Sequence, residues 1–216
     1  MDTQTRYLWA FVGGFGLLSG LFLWSVVYKT LNTFPVGDAP PVETITAAPV
    51  QPPVRSQDPR LGSNRTDAIE IVEYADYRCL HCRTMAPDLF ALLSDPQMNV
   101  RLIWREAPTS DQTPEGLLPF AAARCAHAQG KFSALHPALF RLSVVNATTI
   151  LDEAKAAGLN LPRFESCLGD PTVFEAIKRD QAQALQYNIV AAPTLFIKGK
   201  PYVGALTRAD LTALLR

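Results

Sequence analysis

The chain has 216 residues, 48% of them apolar, which suits one ordinary core with accessory segments and excludes two large independent domains. Twenty basic side chains balance twenty acidic ones, so no overall field draws the protein onto nucleic acid or an anionic lipid surface, and nucleic-acid binding is set aside.

From Tyr7 to Tyr28 the run "YLWAFVGGFGLLSGLFLWSVVY" carries no ionisable side chain apart from its tyrosines. As a helix it would reach about 30 Å, the thickness of a bilayer core. Tyr7 and Trp9 at one end, and Trp24 and Tyr28 at the other, stand where interfacial aromatics belong, with Arg6 and Lys29 just outside. Residues 1–29 are therefore expected to form an N-terminal transmembrane anchor. A core helix would sit oddly ahead of a proline-rich stretch. A cleaved signal peptide would have an apolar region of about 7–15 residues with a small-x-small site behind it, whereas this run ends in "VVYKTLN". One basic residue on each flank gives a weak orientation signal, read as a short tail inside and the remainder outside. Gly16 and Gly20 form a G-x-x-x-G through which two anchors could pack.

Residues 30–66 change composition, and Pro35, Pro40, Pro41, Pro49, Pro52, Pro53 and Pro59 each remove an amide donor and fix a backbone angle. The segment is expected to be an extended tether with no sheet or helix running through it.

Residues 67–216 read as one α/β domain. "AIEIVEY" and "NVRLIWRE" have the β-branched and aromatic content of strands, and "LHCRTMAPDLFALLS" between them has helical spacing. A helical block follows over about 107–186, divided by Gly, Pro and Asn. "TLFIKGKPYVG" then predicts a hairpin around Lys-Gly-Lys, and "TRADLTALLR" a closing helix capped by Thr207. The order is a β-α-β unit, an inserted helical subdomain, and a β-β-α unit.

Cys79 and Cys82 lie where the first strand gives way to the first helix. Covalent haem would need His after the second cysteine, and Arg83 stands there. Zinc would need two further ligands, for which Cys125 and His127 are the candidates, although residues two apart on a helix point in different directions. A permanent staple closing so small a ring would remove little unfolded-state entropy. The fourth reading is a redox-active pair. A sulfur at a helix start meets free amides and the positive end of the macrodipole, and His81 and Arg78 would add charge beside it. Cys79 is then the nucleophile and Cys82 the resolving thiol. A thiol brought from about 8.5 down to about 4 favours the reduced form at pH 7 by roughly 4 kcal/mol, about 90 mV, which makes the disulfide an oxidant. Glu73, six positions before Cys79, shares a strand face with Ile69 and Ile71. Buried beneath the pair, it would have a raised pKa and accept a proton from Cys82. His127 and His136 read as ordinary helix residues.

Glu73 in "VEYADYRC", the run "CLHCRTMAP" with Pro87 eight residues after Cys79, the helical insertion and "VAAPTLFIKG" together resemble the thioredoxin superfamily, and within it the DsbA-like branch of bacterial envelope oxidoreductases. The resemblance covers roughly Ala68 to Arg216. It implies a thioredoxin fold with an inserted helical subdomain, a cis Pro193 beside the sulfurs, and a substrate-binding rim of Leu80, Ala192 and Thr194, with the Ala192 backbone pairing to an extended substrate. Two positions depart from the usual pattern: Leu80 stands where many oxidases of the branch have Pro, and Ala192 where Val or Thr is more common.

In an oxidising compartment Cys125 and Cys167 are expected to be joined, closing a loop worth about 4 kcal/mol by chain entropy. Separate buried thiols, or a second redox or metal role, are the alternatives. The expected function is a thiol:disulfide oxidoreductase on the bacterial inner membrane, facing the periplasm and donating disulfides to reduced or misoxidised exported proteins. The resemblance implies re-oxidation by a quinone-coupled membrane oxidase of the DsbB type. No cofactor or metal is called for. Reduction or isomerisation by the same fold, and a non-enzymatic tethered metal-binding module, stand as rival readings.

Overall fold

The computed structural model describes residues 51–108 and 112–216, together with Trp24, Tyr28 and Lys29. The expected anchor, those three residues apart, and the tether up to residue 50 lie outside the described residues. Among the described residues no helix is long and apolar enough to cross a membrane.

Among the described residues a five-stranded sheet carries the site, its strands β1 (Arg60–Gly62), β2 (Ile69–Ala75), β3 (Val100–Glu106), β4 (Thr194–Ile197) and β5 (Lys200–Val203) lying in the order β1-β3-β2-β4-β5. Its centre is β2, parallel to β3. On the other side β2 pairs antiparallel with β4, which turns at Lys198 and Gly199 into β5. Two-sided burial explains why β2 and β3 are so apolar. Ile71, Leu102, Leu195 and Ile197 point to one face, where they meet Met85, Leu89 and Leu92 of α1, Leu80–Leu93, and Leu211 of α7, Arg208–Leu214. Val72, Tyr74, Ile103 and Phe196 point to the other face.

Among the described residues between β3 and β4 run five helices, as the helical block predicts: α2, Pro114–His127; α3, Phe132–Arg141; α4, Ala147–Ala156; α5, Leu161–Leu168; and α6, Pro171–Gln186. Side-chain caps open most of them: Thr113 bonds the amide of Gly116 at α2, Asn146 and Thr149 form a capping box at α4, and Asp170 bonds the amide of Thr172 at α6. Thr207 caps α7 as its position predicts, in a capping box with Asp210. The helical block has its own core, in which Phe120, Leu135, Leu139, Phe164 and Ile177 are buried together with Ala75, Tyr77 and Trp104 from the sheet side.

The expected tether ends earlier than residue 66. Arg60–Gly62 forms β1, antiparallel to β3, and Asp58 is buried. Prolines exclude a strand only where an amide is needed. After Pro59 the chain is free to pair, and the Pro59 carbonyl itself accepts from the amide of Trp104 at 2.9 Å. Gly62 makes the pairing possible: its φ is +97°, and a Cβ there would lie 2.5 Å from the Val100 carbonyl oxygen.

Candidate active site

β2 ends at Ala75, and a tight turn carries the chain to Cys79. The Asp76 carbonyl accepts from the Cys79 amide at 3.1 Å, and the Asp76 carboxylate accepts from the Arg78 amide at 2.8 Å. Cys79 is the N-cap of α1, and its sulfur accepts from the Cys82 amide at 3.2 Å. That place is ordinarily held by a Ser, Thr, Asp or Asn oxygen, so a sulfur here faces the unpaired amides of a helix start. Its second partner is the Ala192 carbonyl, to which the Cys79 S–H donates at 3.3 Å. The amide donor suits a sulfur anion and the carbonyl acceptor suits a thiol, so the two contacts favour opposite states.

Cys79 is half-buried and Cys82 fully buried; both are free thiols. Burial pushes the Cys82 thiol far above its ordinary range, helped by its hydrogen bond to the Cys79 sulfur and by the charge of Glu73. Glu73 lies on the predicted face of β2, is 2% exposed, and is pushed up by burial to about 8. Both groups therefore resist their charged forms, and the carboxyl is the better acid of the two.

The Ala192–Pro193 bond is cis, as the resemblance implies, and Pro193 is buried while its carbonyl accepts from the Gly204 amide at 2.8 Å. Leu80 and His81 are exposed beside the sulfur. The Arg78 guanidinium reaches the Glu115 carbonyl at 3.0 Å, tying the turn to the first turn of α2. Thr194 departs from expectation. Its side chain is buried and its hydroxyl donates to the Ala191 carbonyl at 2.7 Å, so it braces the turn from inside and presents no side chain to a substrate. Next to Ala191 a largely apolar hollow of about 330 Å³ is lined by Ala107, Pro108, Leu185, Ile189 and Val190, with Leu185 and Val190 exposed.

Cys125 and Cys167 form a disulfide, joining α2 to α5. Cys125 is therefore spent as a metal ligand, which removes the zinc set suggested by its spacing to His127.

Two features escaped sequence reasoning. His136 is no ordinary helix residue: it is fully buried, and its Nδ1 hydrogen-bonds the Tyr77 hydroxyl at 2.7 Å. The second is a buried ion cluster. Arg105 pairs with Asp58 and with Asp180 (3.6 Å) and donates to the Pro53 carbonyl at 2.6 Å. Arg124 joins Glu106 to Asp180, at 2.8 Å from the latter, while Arg55 closes on Asp58 and Asp180. It locks the segment before β1 to β3, α2 and α6.

This strand order, with a helical block spliced between β3 and β4 and a cysteine pair opening α1, defines a thioredoxin fold with an inserted helical subdomain. The chain belongs to the thioredoxin family, whose sequence pattern matches residues 56–216. A thioredoxin-like oxidoreductase from Silicibacter pomeroyi DSS-3 superposes with a TM-score of 0.64 at 27% identity, over 74% of this chain and 91% of that one. The thiol-disulfide exchange protein alpha-DsbA2 from Wolbachia pipientis shares the fold, with a TM-score of 0.65 at 20% identity over 74% and 86% of the two chains. Among curated proteins, Na(+)/H(+) antiporter NhaA 3 of Salinispora tropica is 30% identical over 150 residues, 69% of this chain. The chain spans about a quarter of that relative's length, 23%.

Proposed function

We propose that the protein donates disulfides to cysteine pairs of exported polypeptides. A substrate thiolate attacks the Cys79 sulfur of the Cys79–Cys82 disulfide; the S–S bond breaks toward Cys82, which leaves as an anion and takes the Glu73 proton. A second substrate thiolate then attacks the substrate sulfur of the mixed disulfide and expels Cys79 as a thiolate. Two electrons pass to the protein, which ends with two thiols, and a quinone-coupled membrane oxidase takes them up. Run backwards, Cys82 loses its proton to Glu73 as it resolves the mixed disulfide.

The observation that carries this reading is the placement of the Cys79 sulfur at the start of α1, accepting the Cys82 amide at 3.2 Å, where a leaving thiolate is stabilised before it exists. Exposed Leu80 and the apolar hollow beside Ala191 favour an unfolded polypeptide as substrate, one whose apolar side chains lie against this rim while its backbone pairs with Ala192. The apolar run 7–28 favours a membrane tether, with the catalytic domain in the bacterial envelope.

The test is the reduction potential of the full chain in glutathione buffers, for wild type and His81→Ala, alongside oxidation of a reduced two-cysteine peptide. A potential well above that of cytosolic reductants, lowered by the substitution, supports donation. A potential near those reductants and unmoved by the substitution refutes it and assigns the site to reduction or isomerisation.

A further inference from the structure

The turn that presents Cys79 is only four residues long, and its second residue, Tyr77, is fully buried, an unusual fate for a residue two positions from a reactive sulfur. Tyr77 packs between Trp104 of β3, 4.9 Å away by ring centroid, Phe140 of α3 at 4.8 Å, and Phe120 of α2 at 5.3 Å. Its hydroxyl is satisfied by one side chain, His136 of α3.

His136 is held as tightly as its partner. Phe132 stacks on it at 4.4 Å, Trp104 meets it edge-on at 4.6 Å, and Phe90 of α1 meets it at 5.4 Å. One imidazole thus touches the helix that Cys79 caps, the strand beside β2, and the turn between them. Burial draws its pKa down to about 3, so the ring stays neutral and its bond to Tyr77 persists at every working pH. Among the described residues its Nε2 finds no hydrogen-bond partner. A fully buried imidazole left half-satisfied is costly, and a phenylalanine would fill this aromatic nest without that cost.

We propose that His136 is a positioning residue of the redox turn: through the Tyr77 hydroxyl it fixes the turn that sets the Cys79 sulfur against the Cys82 amide and the Ala192 carbonyl. The inserted helical block is then part of the redox device, since the side chain that registers the turn comes from α3. With the bond gone, Tyr77 can slide in its apolar slot, the Asp76-to-Cys79 turn follows, and the sulfur loses its fixed distance to the Cys82 amide. That amide is a donor to the thiolate, so its loss favours the disulfide form.

This inference rests on the proposed thiol–disulfide function. The experiment compares wild type, Tyr77→Phe, His136→Phe and the double variant in the full chain. It reads the equilibrium constant with glutathione, the alkylation rate of Cys79 by iodoacetamide, and the thermal unfolding midpoint. Tyr77→Phe removes one oxygen and strands nothing but the imidazole, so it is expected to fold and to shift the glutathione equilibrium toward the protein disulfide by about tenfold, about 30 mV. The double variant removes both partners: its unfolding midpoint returns close to wild type while the equilibrium stays displaced, a separation that a purely structural role does not produce. Tyr77→Phe and the double variant both keeping the wild-type equilibrium and alkylation rate would overturn the proposal while leaving the function intact. A wild-type pair that does not exchange with glutathione at all overturns both.

Discussion

Glu73→Gln should make the protein more stable and a worse catalyst. In the folded, reduced protein burial holds the Glu73 carboxyl at about 8 against an ordinary value of 4.5. Unfolded, it releases its proton above about 4.5; folded, it keeps it up to about 8. Between those values the unfolded chain binds fewer protons than the native one, so stability falls as pH rises through the window and the loss is complete above it. At pH 7 the interval is about 2.5 pH units, and at about 1.36 kcal/mol each the carboxyl costs about 3 kcal/mol. The amide of Gln has nearly the same shape and nothing to ionise. The variant should therefore match wild type near pH 4, exceed it by about 3 kcal/mol at pH 7, and exceed it further at pH 8.

Urea unfolding of both reduced proteins across that range is the assay, because the titrating groups that do not feel the Glu73 charge cancel in the difference. The same substitution removes the proton partner of Cys82, so resolution of a preformed mixed disulfide should slow by about a hundredfold or more. A stability difference that does not grow between pH 4 and pH 8 refutes the burial argument. One that grows while resolution is unaffected refutes the assignment of Glu73 as the proton partner.

Three further changes probe the frame around the site. Arg105→Met leaves buried Asp58 with the Arg55 guanidinium alone and the Pro53 carbonyl without its Arg105 donor, an expected cost of about 1–3 kcal/mol in urea unfolding, with new protease cleavage between residues 51 and 60. Gly62→Ala drives a methyl against the Val100 carbonyl at a φ of +97°; a loss of about 1–3 kcal/mol and faster amide exchange over residues 60–63 are expected, and no change in either would show that β1 is not part of the folded unit. Replacing Cys125 and Cys167 together by Ala opens a loop with a sequence separation of 42 and should lower stability by about 4 kcal/mol on the chain-entropy model, without altering the glutathione equilibrium of Cys79 and Cys82.

What the sequence made legible was local chemistry. Strand composition around Ile71 and Ile103, the cap at Thr207, the position of Cys79 at a helix start and the face of β2 on which Glu73 lies all follow from spacings of a few residues, and each is found in the structure. The cis bond before Pro193 is no local property of "VAAPT"; only the resemblance of the whole pattern implied it. Thr194 was misplaced because a β-branched polar residue beside the sulfurs reads equally well as rim or as brace, and only the location of the Ala191 carbonyl decides between them.

The remaining features are pairings across the chain. Asp58 and Arg105 are 47 residues apart, Arg55 and Asp180 125, and Tyr77 and His136 59, so no periodicity links them. Each half looks bland alone: an acid in a proline-rich stretch, a basic residue near a strand end, a histidine in an amphipathic helix. Burial changes their meaning, because a charge or imidazole with no water to solvate it must be satisfied by whatever the fold brings near. Both clusters sit at the C-terminal end of the parallel pair β2 and β3, where Ala75 lies opposite Glu106. The ion cluster ties the segment before β1 to the end of β3 and to α6, and the aromatic nest ties the redox turn to α3. A sheet and one helix suffice to place two sulfurs near each other, but the distance from the Cys79 sulfur to its amide donor is set by residues that the inserted helices contribute. Variation in that helical block is therefore a route to a different redox poise with the Cys-Leu-His-Cys loop itself unchanged.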